Sequence, residues 1–372
     1  MFKDYEYYDD FVGFAFALFL INLLLWVVSL IIGKAWPVDF IWSSWPVLHL
    51  GYLLYDNYRA LGLPHGSDWY PYVPLVVTLI HNVRLTSNFI KRGGIGHEDW
   101  RYTDMRQQLG RMYPVVSFVT VFAAQSTFMF LGCLPFFIIA RNTHIHPVAV
   151  VLGATVSCVG IGLEMVADEQ LNLFTQKKRL LLKEMGRPAA AAAVTGAAPA
   201  PVLKQVLDTG LWQYSRHPVS DPCSTSRGPA CFVVVGWPKH LPLLLPLLPS
   251  PSPSVSRNPH RSLHHQQNYC GELLFWWGTF IAGMNVGPTV SDDASTHVDR
   301  WCNMFTSISI VGPLCMTALF FGISVDLMEA RQLKNKKIEY EKYKKKVPSA
   351  ILLCPRCGGG NGGRNRNEEK EE

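Results

Sequence analysis

Three stretches of the chain are long apolar runs without a single charge. Residues 11–32 (FVGFAFALFLINLLLWVVSLII), 113–140 and 304–325 contain no Asp, Glu, Lys or Arg. A helix needs roughly 20 apolar residues to cross the hydrocarbon core of a bilayer, and each run meets that length. Four weaker stretches mix apolar runs with isolated polar residues: 36–56, which holds Asp39 and His49; 69–90, which carries Arg84 near its end; 147–166; and 271–288. The pattern predicts an all-α integral membrane protein of about seven transmembrane helices, at 11–33, 36–56, 69–90, 113–140, 147–166, 271–288 and 304–326.

Composition agrees with the pattern. Charged residues make up 17% of the chain and hydrophobic ones 49%, whereas soluble domains carry about a quarter charged residues. A disordered chain, a disulfide-stapled secreted scaffold and an ordinary cytosolic enzyme are thereby excluded. The net charge of +6 does not indicate nucleic acid, because the basic residues flank the apolar runs. With residues 219–267 left out, the segments after the first, third, fifth and seventh spans hold 25 Lys and Arg, against 4 on the other side. Excess Lys and Arg marks the cytoplasmic face, so a lumenal N-terminus and a cytosolic C-terminus are expected. The opening MFKDYEYYDD is acidic and aromatic, unlike a cleavable signal, so the first span is expected to be retained.

Metal and redox motifs are sparse. Of nine cysteines, Cys133, Cys158 and Cys315 lie within apolar spans, so no disulfide framework is expected. Cys354 and Cys357 form one CxxC without the second pair that zinc wants. His65, His144 and His146 lack partners at ligand spacing. There is no GxGxxG, no Walker A motif and no HExxH. The sequence therefore predicts no metal site.

Residues 219–267 break the pattern, with 9 prolines in 49 residues. Such a run cannot face lipid as a helix. A disordered insertion is one reading. A translated intron is the other: the segment opens with Val219-Ser220, which a GTGAGT splice donor would encode, and closes with Gln267, which a CAG acceptor would encode. Its removal joins Pro218 to Asn268 in frame. Residues 188–201 are Ala-rich with Gly196 and three prolines, and read as a linker. The segment from 357 to 372 reads as a disordered tail.

Polar chemistry gathers in four clusters on the predicted cytosolic side. The first is RLTSNFIKRGGIGHEDWRY (84–102), in which Arg84 and Asn88 share a helix face before Gly93 and Gly94 break the helix. Polar groups at membrane depth face a cavity or a partner. The second is EMVADEQ, in which Glu164 and Asp168 lie four apart, placed either to pair with nearby Lys such as Lys177 or to bind a ligand. The third spans the insertion: Leu211 to Pro218 (LWQYSRHP), then Asn268 to Glu272 (NYCGE), then Trp276-Trp277-Gly278. Arg offers a planar fork for phosphate or carboxylate, and His and Tyr can donate protons. The fourth, Glu329-Ala330-Arg331 with Tyr340, Tyr343, Lys344 and Val347, reads by itself as a basic amphipathic helix on anionic headgroups.

The joined motif LWQYSRHP…NYCGE…WWG resembles the signature of the steroid 5-alpha-reductase-like membrane proteins. EARQL…YEKYKKKVPSAI resembles the end of the same C-terminal domain, and RGGIGHEDWRY with GLEMVADEQ resembles a less characterised branch of the superfamily. That resemblance implies an NADPH-dependent reductase of an activated C=C bond in a sterol-like or isoprenoid lipid, in the endoplasmic reticulum membrane. It implies cofactor binding by Arg216, His217, Asn268, Tyr269, Glu272, Asp168 and Arg331, with Tyr269 or Tyr214 as proton donor. It divides the chain into N-terminal spans and the polar loop (1–112), a reductase-like domain (113–218 with 268–356), the insertion (219–267) and the tail. An S-adenosylmethionine-dependent lipid or prenyl-cysteine methyltransferase on the same fold, and a non-catalytic membrane protein, are the alternatives. Because the insertion separates His217 from Asn268, the chain as it stands is expected to be inactive or weakly active.

Overall fold

An apolar core threaded with buried polar side chains, under an apolar outer surface, sets the architecture. The computed structural model describes residues 2–61, 69–91, 93–141, 147–184, 205–213, 269–284 and 307–347, and every regular element among them is helical. In chain order these are α1 (Phe2–Ile32), α2 (Asp39–Leu61), α3 (Tyr72–Lys91), α4 (Trp100–Leu109), α5 (Tyr113–Ser117), α6 (Ala124–Gly132), α7 (Leu134–Arg141), α8 (Pro147–Glu184), α9 (Tyr269–Ala282), α10 (Val311–Leu319) and α11 (Val325–Lys346). π-helical stretches join α5 to α6 (Phe118–Ala123) and α10 to α11 (Phe320–Ser324).

Four helical stretches are long and apolar enough to cross a membrane: Phe11–Ile32, Trp100–Ala140, Pro147–Leu181 and Ser307–Lys346. They cover the expected spans at 11–33, 113–140, 147–166 and 304–326. Three helices also occupy the remaining expected spans, but α9 is only 14 residues long and α2 and α3 are more polar.

Helix α3 shows the inverted pattern that a bilayer imposes. His81, Thr78 and Asn88 are buried, whereas Val76, Leu79, Ile80, Val83 and Ile90 are exposed. Helix α8 repeats it: Ser157 and Glu164 are buried while Val151, Val159 and Met165 are exposed. Lipid tails are as apolar as these side chains, so outward Val and Leu carry no penalty and helix association depends on close packing and hydrogen bonds.

The α8–α9 seam is such a close contact. A Cβ added at Gly271 would overlap the Cγ of Glu164 and the carbonyl of Gly160, and one at Gly278 would overlap the carbonyl of Gly153 and Ser157 Oγ. Gly153 and Gly160 on α8 meet Gly278 and Gly271 on α9, so the helices run antiparallel with their backbones nearly touching. Ser157 Oγ donates across the seam to the Phe275 carbonyl at 3.1 Å. Helix α3 packs on α8, and α2 packs on α3 and α7.

The polar flaws of the second expected span have structural partners. Asp39 accepts the Tyr102 hydroxyl at 3.0 Å. His49 is fully buried among rings, 4.1 Å from Phe14 and 4.8 Å from Phe137 between centroids.

Helix α11 does not stay straight. Lys336 leaves helical geometry (φ −139°, ψ 38°), and Lys344 Nζ reaches Glu329 Oε2 at 2.5 Å. Fifteen residues of straight helix would separate those two by about 22 Å. The segment is therefore a helical hairpin bent at Lys336, not the single amphipathic helix expected. Tyr340, Tyr343 and Val347 on its second arm pack with Leu333 and Val206. Tyr343 donates to the Trp212 carbonyl at 2.8 Å.

Candidate functional site

The first turn of α9 is where the polar clusters meet. Tyr269 and Glu272 lie three residues apart on it, and each belongs to a different group of buried polar side chains.

Glu272 is the hub of the first group. It is 5% exposed and receives three donors from three helices or turns. Trp42 Nε1 on α2 donates to Oε1 at 2.7 Å, and Trp276 Nε1, one turn along α9, donates to the same oxygen at 3.2 Å. His81 Nε2 on α3 lies 3.1 Å from Oε2. The His81 ring stacks flat on Phe275, with centroids 3.9 Å apart and planes at 6°. That stacking holds the imidazole edge toward the carboxylate.

Arg84, one turn below His81, extends the group. Its NH1 lies 3.0 Å from Glu164 Oε2 and 3.3 Å from Asp168 Oδ2. Asn88, a further turn along, donates to Asp168 as well. The spacing in sequence thus delivers both halves of this contact: Arg84 and Asn88 on one face of α3, Glu164 and Asp168 on one face of α8. The carboxylates pair with Arg84 and not with Lys177, which is exposed. The ligand-type atoms of His81, Glu164 and Glu272 all lie within 4.8 Å of one another. No local spacing could announce this convergence, since His81 and Glu272 are 191 residues apart.

Tyr269 opens the second group. Its ring packs on Phe320 at 4.9 Å, and its hydroxyl hydrogen-bonds Ser324, with Arg101 and Asp99 nearby. The π-helical stretch at Phe320–Ser324 supplies both partners; such irregular turns recur at functional sites. Asp99 caps α4 by accepting the Arg101 backbone N–H at 2.8 Å and pairs with the Arg101 side chain at 3.0 Å. Glu98 pairs with Arg106 at 2.8 Å and accepts the Ala35 N–H at 3.0 Å. These bonds tie the segment after Gly93, whose φ of +75° ends α3, to the turn between α1 and α2. Arg331 of α11 lies over the Trp100 ring at 4.1 Å and within 3.4 Å of Asp104. The Trp100 indole N–H is buried and has no acceptor among the described residues.

Of the residues singled out by sequence, the structure places Asp168 and Glu272 in one network, and Tyr269 and Arg331 beside the EDWRY segment. Tyr214, Arg216, His217 and Asn268 lie outside the described residues, as do His65, His144, His146 and the 219–267 segment. Trp42 and His81 were not foreseen. His81 carried a signal nonetheless, because Thr78, His81, Arg84 and Asn88 form one polar stripe at helical spacing along α3.

Residues 25–219 and 261–347 match the family model described as a protein of unknown function, DUF1295. The chain belongs to the DUF1295 family. No curated protein and no solved structure matches it. The DUF1295 match takes in both polar groups and all of α2 to α9, and passes over residues 220–260.

Proposed function

We propose that this protein is an NADPH-dependent membrane reductase acting on an activated C=C bond of a sterol-like or isoprenoid lipid. The observation that carries the reading is the convergence of Glu272, Asp168, Glu164, Arg84 and His81 in one buried group, with Tyr269 and Arg331 on its flank. Ionisable residues at membrane depth mark functional sites by default. Membership of DUF1295, a steroid 5-alpha-reductase-like family, supports the same reading. We read seven spans, a lumenal N-terminus, a cytosolic C-terminus and an endoplasmic reticulum location, supported by the Lys and Arg asymmetry.

The donor set suits a dinucleotide. Arg331 and the acceptor-less Trp100 N–H lie together and fit an anionic oxygen. Asp168 and Glu272 fit hydroxyl and amide donors, with Arg216, His217 and Asn268 completing the motif. A nicotinamide held by these residues would supply a hydride to one carbon of the double bond. The protein's residues hold the reactants, exclude water through the aromatic walls of Trp42, Phe275 and Trp276, and keep a proton donor, Tyr269 or Tyr214, at hand.

The family match resumes at residue 261, which supports reading 219–267 as an insertion that interrupts the pocket. The deciding experiment titrates NADPH and S-adenosylmethionine against detergent-solubilised protein lacking 219–267. Saturable NADPH binding lost in Arg216→Ala is expected, with the full-length chain binding more weakly. Binding of S-adenosylmethionine alone would replace the reading with a methyltransferase, and binding of neither would favour a non-catalytic membrane protein.

A further inference from the structure

Trp45 and His49 stand on successive turns of α2, with ring centroids 5.9 Å apart. His49 is fully buried and Trp45 is 4% exposed. Rings surround His49: Phe14 at 4.1 Å, Phe137 at 4.8 Å and Phe136 at 6.1 Å between centroids. Among the described residues, neither ring nitrogen of His49 has a hydrogen-bond partner, and neither has the Trp45 indole N–H. Buried polar groups in native proteins are almost always satisfied. Two orphaned side chains on one helix face therefore call for a guest.

The chemistry of the pair narrows that guest. A neutral imidazole has one donor and one acceptor nitrogen, and an indole only donates. A hydroxyl fits both, because its oxygen accepts from Trp45 and its hydrogen goes to the bare nitrogen of His49. A carboxylate or phosphate does not fit, since the surrounding rings carry no charge to balance it.

Position says where the guest comes from. His49 lies within the expected span 36–56, at a depth where polar side chains mark functional sites. Phe14, which covers it, belongs to α1, of whose apolar stretch only 17% is buried. Tyr52, half exposed, packs edge-on against Phe14 at 5.2 Å. One aromatic ring, on a helix that lipid mostly surrounds, separates the pair from the bilayer.

We propose that Trp45 and His49 bind the hydroxyl group of a lipid alcohol that enters from the bilayer past Phe14, between α1 and α2. Trp42, which donates to Glu272, precedes His49 by seven residues on the same face of α2, about 10 Å along the axis. A lipid anchored at His49 extends on this scale to the Glu272 group. That the lipid is the molecule reduced rests on the reductase reading; the hydroxyl site does not. Sterols and isoprenoid alcohols share the hydroxyl, and the test tells them apart.

The test is scintillation-proximity binding of tritiated cholesterol and tritiated geranylgeraniol to the full chain, delipidated in detergent. Each label is competed by its unlabelled alcohol and by the matching hydrocarbon without the hydroxyl, at equal mole fraction in the micelle. For one of the two pairs the alcohol is expected to compete about tenfold better than the hydrocarbon, the equivalent of one buried hydrogen bond. His49→Phe and Trp45→Phe, which put ring for ring, are expected to remove that preference. The wild-type preference needs no variant, so misfolding of a variant cannot hide it. Equal competition by alcohol and hydrocarbon overturns the proposal, as does a preference that survives in both variants. Binding of neither label also overturns it and leaves the pair to an internal water. NADPH titration of the same preparation reports on the reductase reading separately: alcohol binding without NADPH binding keeps this site and removes that reading.

Discussion

The Trp42 indole donates to the Glu272 carboxylate at 2.7 Å across 230 residues of sequence. This bond and the His81 contact fix the rotation of α9 about its axis, since both arrive from helices on the far side of the carboxylate. Trp42→Phe keeps the ring and removes the donor. The expected cost is about 1–3 kcal/mol, that of a buried charged acceptor losing a partner. Thermal unfolding in detergent measures it. An unchanged melting temperature would show that the bond does not hold α9.

Gly271 and Gly162 separate close packing from glycine content. Gly271→Ala drives a methyl into Glu164 and the Gly160 backbone, and the helices must part at a cost of roughly 1–3 kcal/mol or more. Nothing lies within 4 Å of a Cβ at Gly162, so Gly162→Ala should be neutral or stabilising by about 0.5–1 kcal/mol. Melting curves of the pair check both signs together.

Arg84 answers the buried Glu164 and the half-buried Asp168. Removing it in Arg84→Ala breaks its ion pair with the buried Glu164 and its contact with Asp168, an effect of about 3–5 kcal/mol for a broken buried pair. Arg84→Lys should recover much of the loss if its ammonium reaches the place of NH1, because that one nitrogen makes both contacts. Expression level and melting temperature of the two variants give the order.

The α11 hairpin is testable without mutation. Carbodiimide joins an amine to a carboxylate in contact, with no spacer. It should link Lys344 to Glu329, and mass spectrometry of the digest would find the crossed peptide. A straight helix would hold the two about 22 Å apart and give no such product.

The parts of this structure written in local spacing were legible. Arg84 with Asn88, and Glu164 with Asp168, could each be placed on one helix face because three- and four-residue steps define a face. That these two faces look at each other is a tertiary fact, and so is the arrival of Trp42 and His81 at Glu272. Hydropathy located α8 but stopped it at 166, because the helix runs on to Glu184 as an amphipathic, charged extension beyond the apolar window. The bend at Lys336 had no signal, since neither Gly nor Pro marks it. The hairpin is held instead by Lys344 on Glu329 across its bend and by Tyr343 on Trp212, a contact 131 residues away in sequence.

The clamps around residues 205–213 have a topological consequence. Gln170 Oε1 of α8 accepts the Leu211 N–H at 3.0 Å, and Tyr343 holds the Trp212 carbonyl, so the chain is fastened just before it leaves the described framework after Gln213. It re-enters at Tyr269, already locked in the α8–α9 seam. Both fastenings lie on α8, and neither depends on the covalent path between them. The protein is thus divisible at this point: fragments 1–218 and 268–372 carry complementary surfaces, and co-expressed they should reassemble as a split protein with the Glu272 network intact.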